Sequence, residues 1–244
     1  MLVTPITPHD VPRLVPFALS VVAGFVDAVT FLGLFGFFIA QVTGSYVFVG
    51  AGVVSPGALG LTQLLAVPVF FLAGVAATLL AAAALALGGR PLVWTMLLEC
   101  ALLATMTAAS LFAAPFSAED QSWAIATALV GLATMGVQAA QVRVLMRGTP
   151  STNVMTANTA QLAVDVAQFA LARRERGGAE PDWLGTLRQR LAGTASVMAG
   201  FFCGTVAGAL VFALTGFVAL LVPLGGLTAV WVWALMAAPR AKEM

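Results

Sequence analysis

Apolar residues occupy long continuous runs of this chain, and short stretches rich in Gly, Pro and polar residues separate the runs. A helix needs roughly 20 apolar residues to cross a hydrocarbon core of about 30 Å. By this measure, hydropathy predicts spans near 13–36, 60–88, 91–113, 122–147, 190–214 and 217–238. Shorter apolar pieces lie near 43–55 and 152–172. The pattern predicts an all-α polytopic helical membrane protein with about six spanning helices plus two short broken or re-entrant helices.

Composition agrees with a lipid-facing surface. The chain is 61% hydrophobic and 9% charged, whereas soluble domains carry roughly 25% charged residues. A formal net charge of +1 creates no global field that would recruit nucleic acid. Cys100 and Cys203 lie in apolar runs, which favours buried thiols over a disulfide or a metal ligand. The residues before the first span lack the pattern of a removable signal peptide, so we expect this span to remain in the mature protein.

Two parts of the chain resemble each other. Gly24 and Asp27 precede a polar turn at Thr43, and Gly136 precedes a similar turn at Thr156. Further on, FFLAGVAATL at 70–79 matches FFCGTVAGAL at 201–210. Two matches in the same order predict two structural repeats. We place the repeats at 13–114 and at 122–238, the second with a basic loop at 173–190, and assign 1–12 as an N-terminal segment, 115–121 as a loop and 239–244 as a tail.

Basic residues set the expected topology, because Arg and Lys in short loops remain in the cytoplasm. If neither short piece crosses, the chain has six spans, and all the basic loops and both termini lie inside. Glu119 and Asp120 then lie outside. The second repeat is inverted relative to the first. The residues expected inside are Arg13, Arg90, Arg143, Arg147, the cluster from Arg173 to Arg190, Arg240 and Lys242. If both pieces cross, there are eight spanning helices, the repeats are parallel, and Arg90 and Arg147 face outside. The six-span interpretation is preferred because it satisfies every basic loop.

The polar turns at Thr43 and Thr156 have two interpretations. In the first, Thr43 or Ser45, and Thr156 or Asn158, cap the first N–H groups of a helix that begins at membrane depth. In the second, two helix ends arrive from opposite leaflets and direct their positive dipoles at a shared site near mid-membrane. Such a site suits a small polar or anionic solute.

Ionisable residues inside spans are costly and usually face a cavity or a partner. Asp27 lies near the middle of the first span, and Arg143 can either extend to the cytoplasmic surface or pair with Asp27. Glu99 can carry a proton or form an interhelical hydrogen bond. The piece 152–172 has a polar stripe that includes Asp165, which can line an aqueous path or face the interface.

These residues define the candidate site. The expected substrate-binding residues are Asp27, Thr43, Gly44, Ser45, Gln138, Arg143, Thr152, Thr156, Asn158 and Gln161. The expected proton- or ion-coupling residues are Asp27, Glu99 and Asp165.

The chemistry available to these residues favours transport over catalysis. The single histidine, His9, precedes the first span, and no phosphate-binding or dinucleotide motif is present. We therefore expect no enzyme activity, no cofactor and no metal. The sequence favours a small secondary transporter or channel-like permease whose partners are the lipid bilayer and a solute that it does not name. The alternative is a non-transporting membrane scaffold or lipid-binding protein with a structural Asp27–Arg143 pair; a homo-oligomer remains open.

Two segments resemble a known family. AGFVDAVTFLGLFGFFIAQVTGS (23–45) is similar to the AGxxDA and TGN signature of the YoaK family, also called DUF1275 or UPF0700. GVQAAQVRVLMRGTPSTNVMTANTAQLAVD (136–165) resembles the second conserved segment of that family. The resemblance implies a bacterial inner (plasma) membrane protein with several spans. It marks Gly24, Asp27, Thr43, Gly44, Gln138, Arg143, Thr152, Thr156 and Asn158, while Ser45 stands where the family usually has Asn.

Overall fold

The computed structural model describes residues 11–55, 60–117, 121–146, 148–174 and 182–237. The elements are α1 (Leu14–Gly33), α2 (Thr43–Gly52), α3 (Leu61–Ala86), α4 (Pro91–Ala113), α5 (Gln121–Leu145), α6 (Met155–Arg174), α7 (Asp182–Thr215), a 3₁₀ turn (Gly216–Leu220) and α8 (Leu221–Ala237). The expectations for His9, Glu119, Asp120, Arg147, Arg240 and Lys242 lie outside the described residues.

Five stretches of the described chain are long and apolar enough to cross a membrane, which confirms a polytopic helical membrane protein. They are Leu14–Gly33, Leu61–Ala86, Pro91–Ala113, Ser122–Leu145 and Trp183–Ala237. The last covers 55 residues and contains two helices separated by the 3₁₀ turn. Helix α2 has ten residues and is about 15 Å long, half of a hydrocarbon core. Helix α6 is not among the apolar stretches.

Contacts at glycines fix the relative directions of the two most extensive helix pairs. Cβ atoms added at Gly204 and Gly208 would meet the carbonyl oxygens of Val21 and Phe25, so α7 runs parallel to α1. A Cβ at Gly136 would lie 2.5 Å from the carbonyl oxygen of Phe70, and one at Gly74 would lie 3.8 Å from Cβ of Ala140. Helices α3 and α5 are therefore parallel as well. In both pairs, glycine permits the backbones to approach closely, as in many membrane helix pairs.

The remaining helices run opposite to their neighbours. Helix α4 is antiparallel to α5, because Glu99 contacts Gln141 while Met106 approaches Gly131. At the start of α4, the Arg90 side chain donates to the carbonyl of Leu235 near the end of α8, which makes α8 antiparallel to α4.

Helix α8 is also antiparallel to α1, since Gly226 lies beside Val22 and Phe217 beside Gly33. The 55-residue apolar stretch therefore reverses direction at the 3₁₀ turn, which begins at Gly216 with a positive φ of 60°. In chain order the helices α1, α3, α4, α5, α7 and α8 thus alternate in direction.

We call the end of the bundle where α1 begins the lower end and the end where α1 stops the upper end. The arginines whose side chains the structure describes all belong to elements at the lower end: Arg13, Arg90, Arg143, Arg188 and Arg190. Helix α1 lies at the centre, with Leu19, Val26 and Val29 completely buried. Its central position explains why chain segments from both halves reach it.

Candidate functional site

Asp27 of α1 holds the chain segment that joins α1 to α2, which we call the upper segment (residues 34–42). Its Oδ1 accepts hydrogen bonds from the backbone N–H groups of Ile39 at 2.8 Å and Ala40 at 2.9 Å. Asp27 is 4% exposed, so water cannot replace this acceptor. Backbone N–H groups outside a helix need a partner in an apolar interior. Asp27 thus supplies the acceptor that allows the upper segment to fold back into the bundle.

Gln138 of α5 has a similar place next to the segment that joins α5 to α6, which we call the lower segment (residues 148–154). Its Nε2 donates to Thr152 Oγ1 at 2.8 Å and to the carbonyl of Leu19 at 3.1 Å. Ser20 Oγ lies 3.0 Å from the carbonyl of Thr152 and can donate to it. The predicted site residues Gln138 and Thr152 are therefore brought together, and α1 completes their network.

Further side-chain hydrogen bonds hold the lower segment. Asn153 Nδ2 donates to the carbonyl of Met135 at 3.3 Å, and Asn158 Nδ2 donates to the carbonyl of Ser151 at 2.6 Å. Asn158 is 5% exposed and begins the second turn of α6. Its side chain therefore stabilises the turn before α6.

A cavity of about 410 Å³ opens at the upper end, between the upper segment and the first turns of α3 and α5. Gln41, Gly44, Ser45 and Gln63 contribute polar groups to its wall. Ser45 is 6% exposed, and its hydroxyl has no hydrogen-bond partner among the described residues. We call this the upper cavity.

Helix α2 begins beside the upper cavity without a side-chain cap, so the expected cap from Thr43 or Ser45 is wrong. The reason is the register: Val42, whose side chain has no acceptor, occupies the N-cap position, and Thr43 and Ser45 already belong to the first turn of α2. The first N–H groups of α2 consequently remain without a side-chain acceptor.

A second cavity, the lower cavity, has a volume of about 200 Å³ and is formed at the opposite end of the bundle. The start of α1, the lower segment and α7 line it, and its polar side chains include Arg13, Gln189 and Ser196. Between the two segments, the bundle is closed by packed side chains around Leu19 and Asp27. These two residues lie about 12 Å apart along α1, at 1.5 Å per residue.

Arg143 does not pair with Asp27, so of the two alternatives considered for Arg143 the ion pair is wrong. The Oδ1 atom of Asp27 is engaged by the upper segment, whereas Arg143 is exposed on the other side of α5. Arg143 lines a third cavity of about 750 Å³ between α3 and α5, which we call the lateral groove. Its side chain has no ion-pair or hydrogen-bond partner in the described parts of the chain.

Glu99 is completely buried between α4 and α5. Its Oε2 accepts a hydrogen bond from Gln141, while its Oε1 has no partner among the described residues. None of the three cavities is lined by Glu99. The interhelical hydrogen bond, one of the two roles considered for Glu99 from the sequence, is present, and the second carboxyl oxygen of Glu99 has no hydrogen-bond partner among the described residues.

Asp165 connects α6 to the lower part of α7. Arg190 donates to both carboxylate oxygens, from Nε to Oδ2 at 2.9 Å and from a terminal nitrogen to Oδ1 at 2.5 Å. Gln161 also donates to Oδ1 at 2.8 Å. The hydrogen bond from Arg190 lowers the pKa of Asp165 below its ordinary value of 3.8. Asp165 and Gln161 thus belong to a helix-docking cluster outside the predicted spans.

The remaining predicted residues differ in their surroundings. Thr43 and Thr156 are exposed and line none of the three cavities, while Gly44 faces the upper cavity. The sequence reading missed Ser20, Gln41 and Gln63. A signal for them existed, since each is a hydrogen-bonding side chain within or beside an apolar run.

These features define a class of protein: a polytopic helical membrane protein with two cavities at opposite ends and two non-helical segments folded into its core. In a comparison with protein families the chain matches the model described as "Protein of unknown function (DUF1275)", over residues 15–233. The chain therefore belongs to the DUF1275 family. Neither the curated proteins nor the solved structures gave a match.

Proposed function

We propose that the protein is a small secondary transporter or channel-like permease for a small polar solute, built from two inverted repeats. One observation carries the proposal: the upper and lower cavities open at opposite ends of the bundle and are lined by corresponding parts of the two halves. Transporters with inverted repeats place their solute pathway at the interface between the repeats.

The helix boundaries support the repeat. Helices α1 and α5 end 112 positions apart, and α2 and α6 begin 112 positions apart. The same interval separates Gly36 and Gly148, which both have positive φ, at 78° and 63°. A glycine at the same point of each turn is expected if both halves fold by the same plan.

Helix packing supports the two repeats independently of the helix boundaries. Gly24 of α1 lies against the carbonyl of Phe201 in α7, and Gly136 of α5 lies against the carbonyl of Phe70 in α3. These are the segments that match each other in sequence. Each half thus packs its first helix on the third helix of the other half, and three alternating spans per half give the halves opposite orientations.

The two cavities follow the same correspondence. Each lies between a joining segment, the third helix of its own half and the start of the first helix of the other half. On the third helices, Thr62 lines the upper cavity and Gly193 the lower one, and they are 131 positions apart, as are Phe70 and Phe201. Cavities related in this way are suited to be the two ends of one pathway.

The upper cavity indicates the chemistry of the solute. Its volume of about 410 Å³ is that of a small-ligand pocket. The described lining includes hydroxyl and amide groups but no charged side chain. The Ser45 hydroxyl can donate a hydrogen bond, and the start of α2 contributes the positive end of a helix dipole. We infer a small solute that presents hydrogen-bond acceptors or a single negative charge.

If transport is coupled to protons, we assign the proton to Glu99 in preference to Asp27. Glu99 is buried with one unpartnered oxygen, so its protonation changes the cost of keeping α4 and α5 packed. Asp27 is committed to two backbone N–H groups.

The proposal also covers the orientation of the protein in the membrane and its cellular location. The described arginines belong to elements at the lower end, which supports a cytoplasmic lower end with both termini on that side. The protein would then be a multi-pass protein of the bacterial inner membrane that acts as a carrier without enzymatic activity.

The test is solute flux in liposomes combined with a matched pair of cysteines. In a background with Cys100→Ala and Cys203→Ser, Thr62→Cys places a thiol in the upper cavity and Gly193→Cys places one in the lower cavity. Flux of small neutral solutes, weak acids and inorganic anions is measured before and after a bulky impermeant thiol reagent is added to one side. We expect labelling at each position to reduce flux of the transported class at least tenfold.

Two results would contradict the proposal. Complete labelling at both positions with unchanged flux would remove the cavities from the pathway. No flux of any solute class by a correctly folded protein would favour the non-transporting scaffold.

A further inference from the structure

We propose that the lateral groove between α3 and α5 binds one anionic phospholipid, with an acyl chain in the groove and the phosphate on Arg143. The site is separate from the two end cavities, and the proposal does not depend on transport. Its volume of about 750 Å³ exceeds that of either end cavity.

The groove has the shape and surface of an acyl-chain site. Along α3 it extends from Val67 to Leu79, which is about 18 Å at 1.5 Å per residue. One leaflet contributes about 15 Å of hydrocarbon, so a single extended chain fits lengthwise. Nearly all of the lining is apolar, with Gly74 and Gly136 forming its floor. In a bilayer, a groove of this kind on the outer side of a lipid-exposed helix is filled by lipid.

Charge specifies the head group. Arg143 lies at the lower end of the groove, two residues before α5 ends, and its exposed guanidinium lacks a partner in the described chain. A long arginine side chain in a membrane span extends its charge to the head-group level. Guanidinium groups bind phosphate with paired hydrogen bonds, which are among the strong ones. The Arg143 guanidinium and the lateral groove are therefore placed so that one phospholipid can bind both, with its phosphate on Arg143 and an acyl chain in the groove.

The experiment compares phospholipids on the purified full-length protein in detergent. Bound lipid is measured by native mass spectrometry and unfolding temperature is measured in parallel. The probes are phosphatidylglycerol, phosphatidylcholine with the same acyl chains, and inorganic phosphate. We expect the wild-type protein to retain phosphatidylglycerol at least about tenfold better than phosphatidylcholine, because a charge-assisted pair is lost with the zwitterion. Inorganic phosphate alone should leave the unfolding temperature unchanged.

Four variants separate the contribution of the lipid head group to binding from that of the groove. Arg143→Gln should remove the preference for the anionic lipid, and Arg143→Lys should keep part of it. Gly74→Leu should reduce binding of both lipids, since Gly74 lines the groove and a Cβ there is in ordinary contact with its neighbours at 3.7–3.8 Å. Gly225→Leu, at an exposed and open position of α8, is the matched control and should bind as the wild type does.

Several outcomes would overturn the proposal. Unchanged lipid preference in Arg143→Gln would show that this arginine does not hold the phosphate. Equal loss in Gly225→Leu would indicate a general effect of added bulk. In the background with Cys100→Ala and Cys203→Ser, a Gly74→Cys variant that forms disulfide-linked dimers in the bilayer would assign the groove to a second copy of the chain instead of lipid. If Arg143→Gln fails to fold, Arg143→Lys together with Gly74→Leu still decides the matter.

Discussion

Removing the Asp27 carboxylate should release the upper segment while leaving the lower segment in place. In Asp27→Ala, the backbone N–H groups of Ile39 and Ala40 lose their acceptor in a buried position. The segment must then either keep two unpaired donors or separate from α1. Gln138→Ala is the reciprocal variant, because the Gln138 side chain donates hydrogen bonds to the lower segment and to α1.

The magnitude follows from the two hydrogen bonds. A buried donor left without a partner costs about 1–3 kcal/mol, so two donors cost about 2–6 kcal/mol locally. Asp27→Asn keeps one acceptor oxygen but loses the charge, which weakens each hydrogen bond by about 1 kcal/mol. At about 1.4 kcal/mol per factor of ten, the loss of about 2–6 kcal/mol should accelerate amide exchange in the upper segment at least about 27-fold in Asp27→Ala, and the loss of about 2 kcal/mol should accelerate it about 27-fold in Asp27→Asn.

Hydrogen exchange followed by mass spectrometry measures this directly. Peptides that cover residues 34–42 report on the upper segment, and peptides that cover 148–154 report on the lower one. Asp27→Ala should accelerate only the first set, and Gln138→Ala only the second. Equal exchange of 34–42 in the wild type and Asp27→Ala would refute the reasoning, and so would acceleration of both segments by either variant.

Three further predictions concern other parts of the bundle. Gly136→Ala should lower the free energy of unfolding by about 1–3 kcal/mol. The added Cβ would lie 2.5 Å from the carbonyl oxygen of Phe70 and force α3 and α5 apart. An unfolding temperature equal to that of the wild type would show that this contact is not tight. The lowered pKa of Asp165 stabilises the folded protein above its unfolded pKa near 3.8, and this contribution is lost as pH falls through the lower folded value. Asp165→Asn should therefore accelerate amide exchange in α6 at pH 7, with a difference from the wild type that disappears in strong acid; a difference that persists there would contradict the ionic origin. Glu99→Gln should keep the hydrogen bond to α5 and the unfolding temperature but abolish uptake driven by a pH gradient, whereas normal gradient-driven uptake would exclude Glu99 as the proton carrier.

Much of the architecture could be read along the chain, because the cost of exposing polar backbone to lipid acts on each segment separately. Runs of apolar residues predicted the spanning helices, and the structure has helices at each of the predicted positions. The notable difference is at the lower end of α7, which begins at Asp182, eight residues before the predicted start. These extra residues mix polar side chains with Leu184 and Leu187, which are both buried. Helix α6 docks on this end of α7 through Asp165 and Arg190.

The partners of the polar residues could not be read in the same way. Both Asp27 and Arg143 were recognised as costly in a span, and opposite charge suggested that they pair. The structure separates them because Asp27 faces the upper segment, where two N–H groups satisfy it, and Arg143 faces the lateral groove. Which side of a helix faces which neighbour depends on the packing of α3, α5 and α7, and a hydropathy profile contains no information on that packing.

The sequence by itself determined that this chain is a helical membrane protein, where its helices lie, and which polar residues are unusual. Tertiary structure decided what those residues do. Transfer of a helix into lipid depends on its own composition, whereas a hydrogen bond between residues more than a hundred positions apart, such as Ser20 to Thr152, exists only once the helices between them have packed. The same holds for the cavities, whose walls come from several helices.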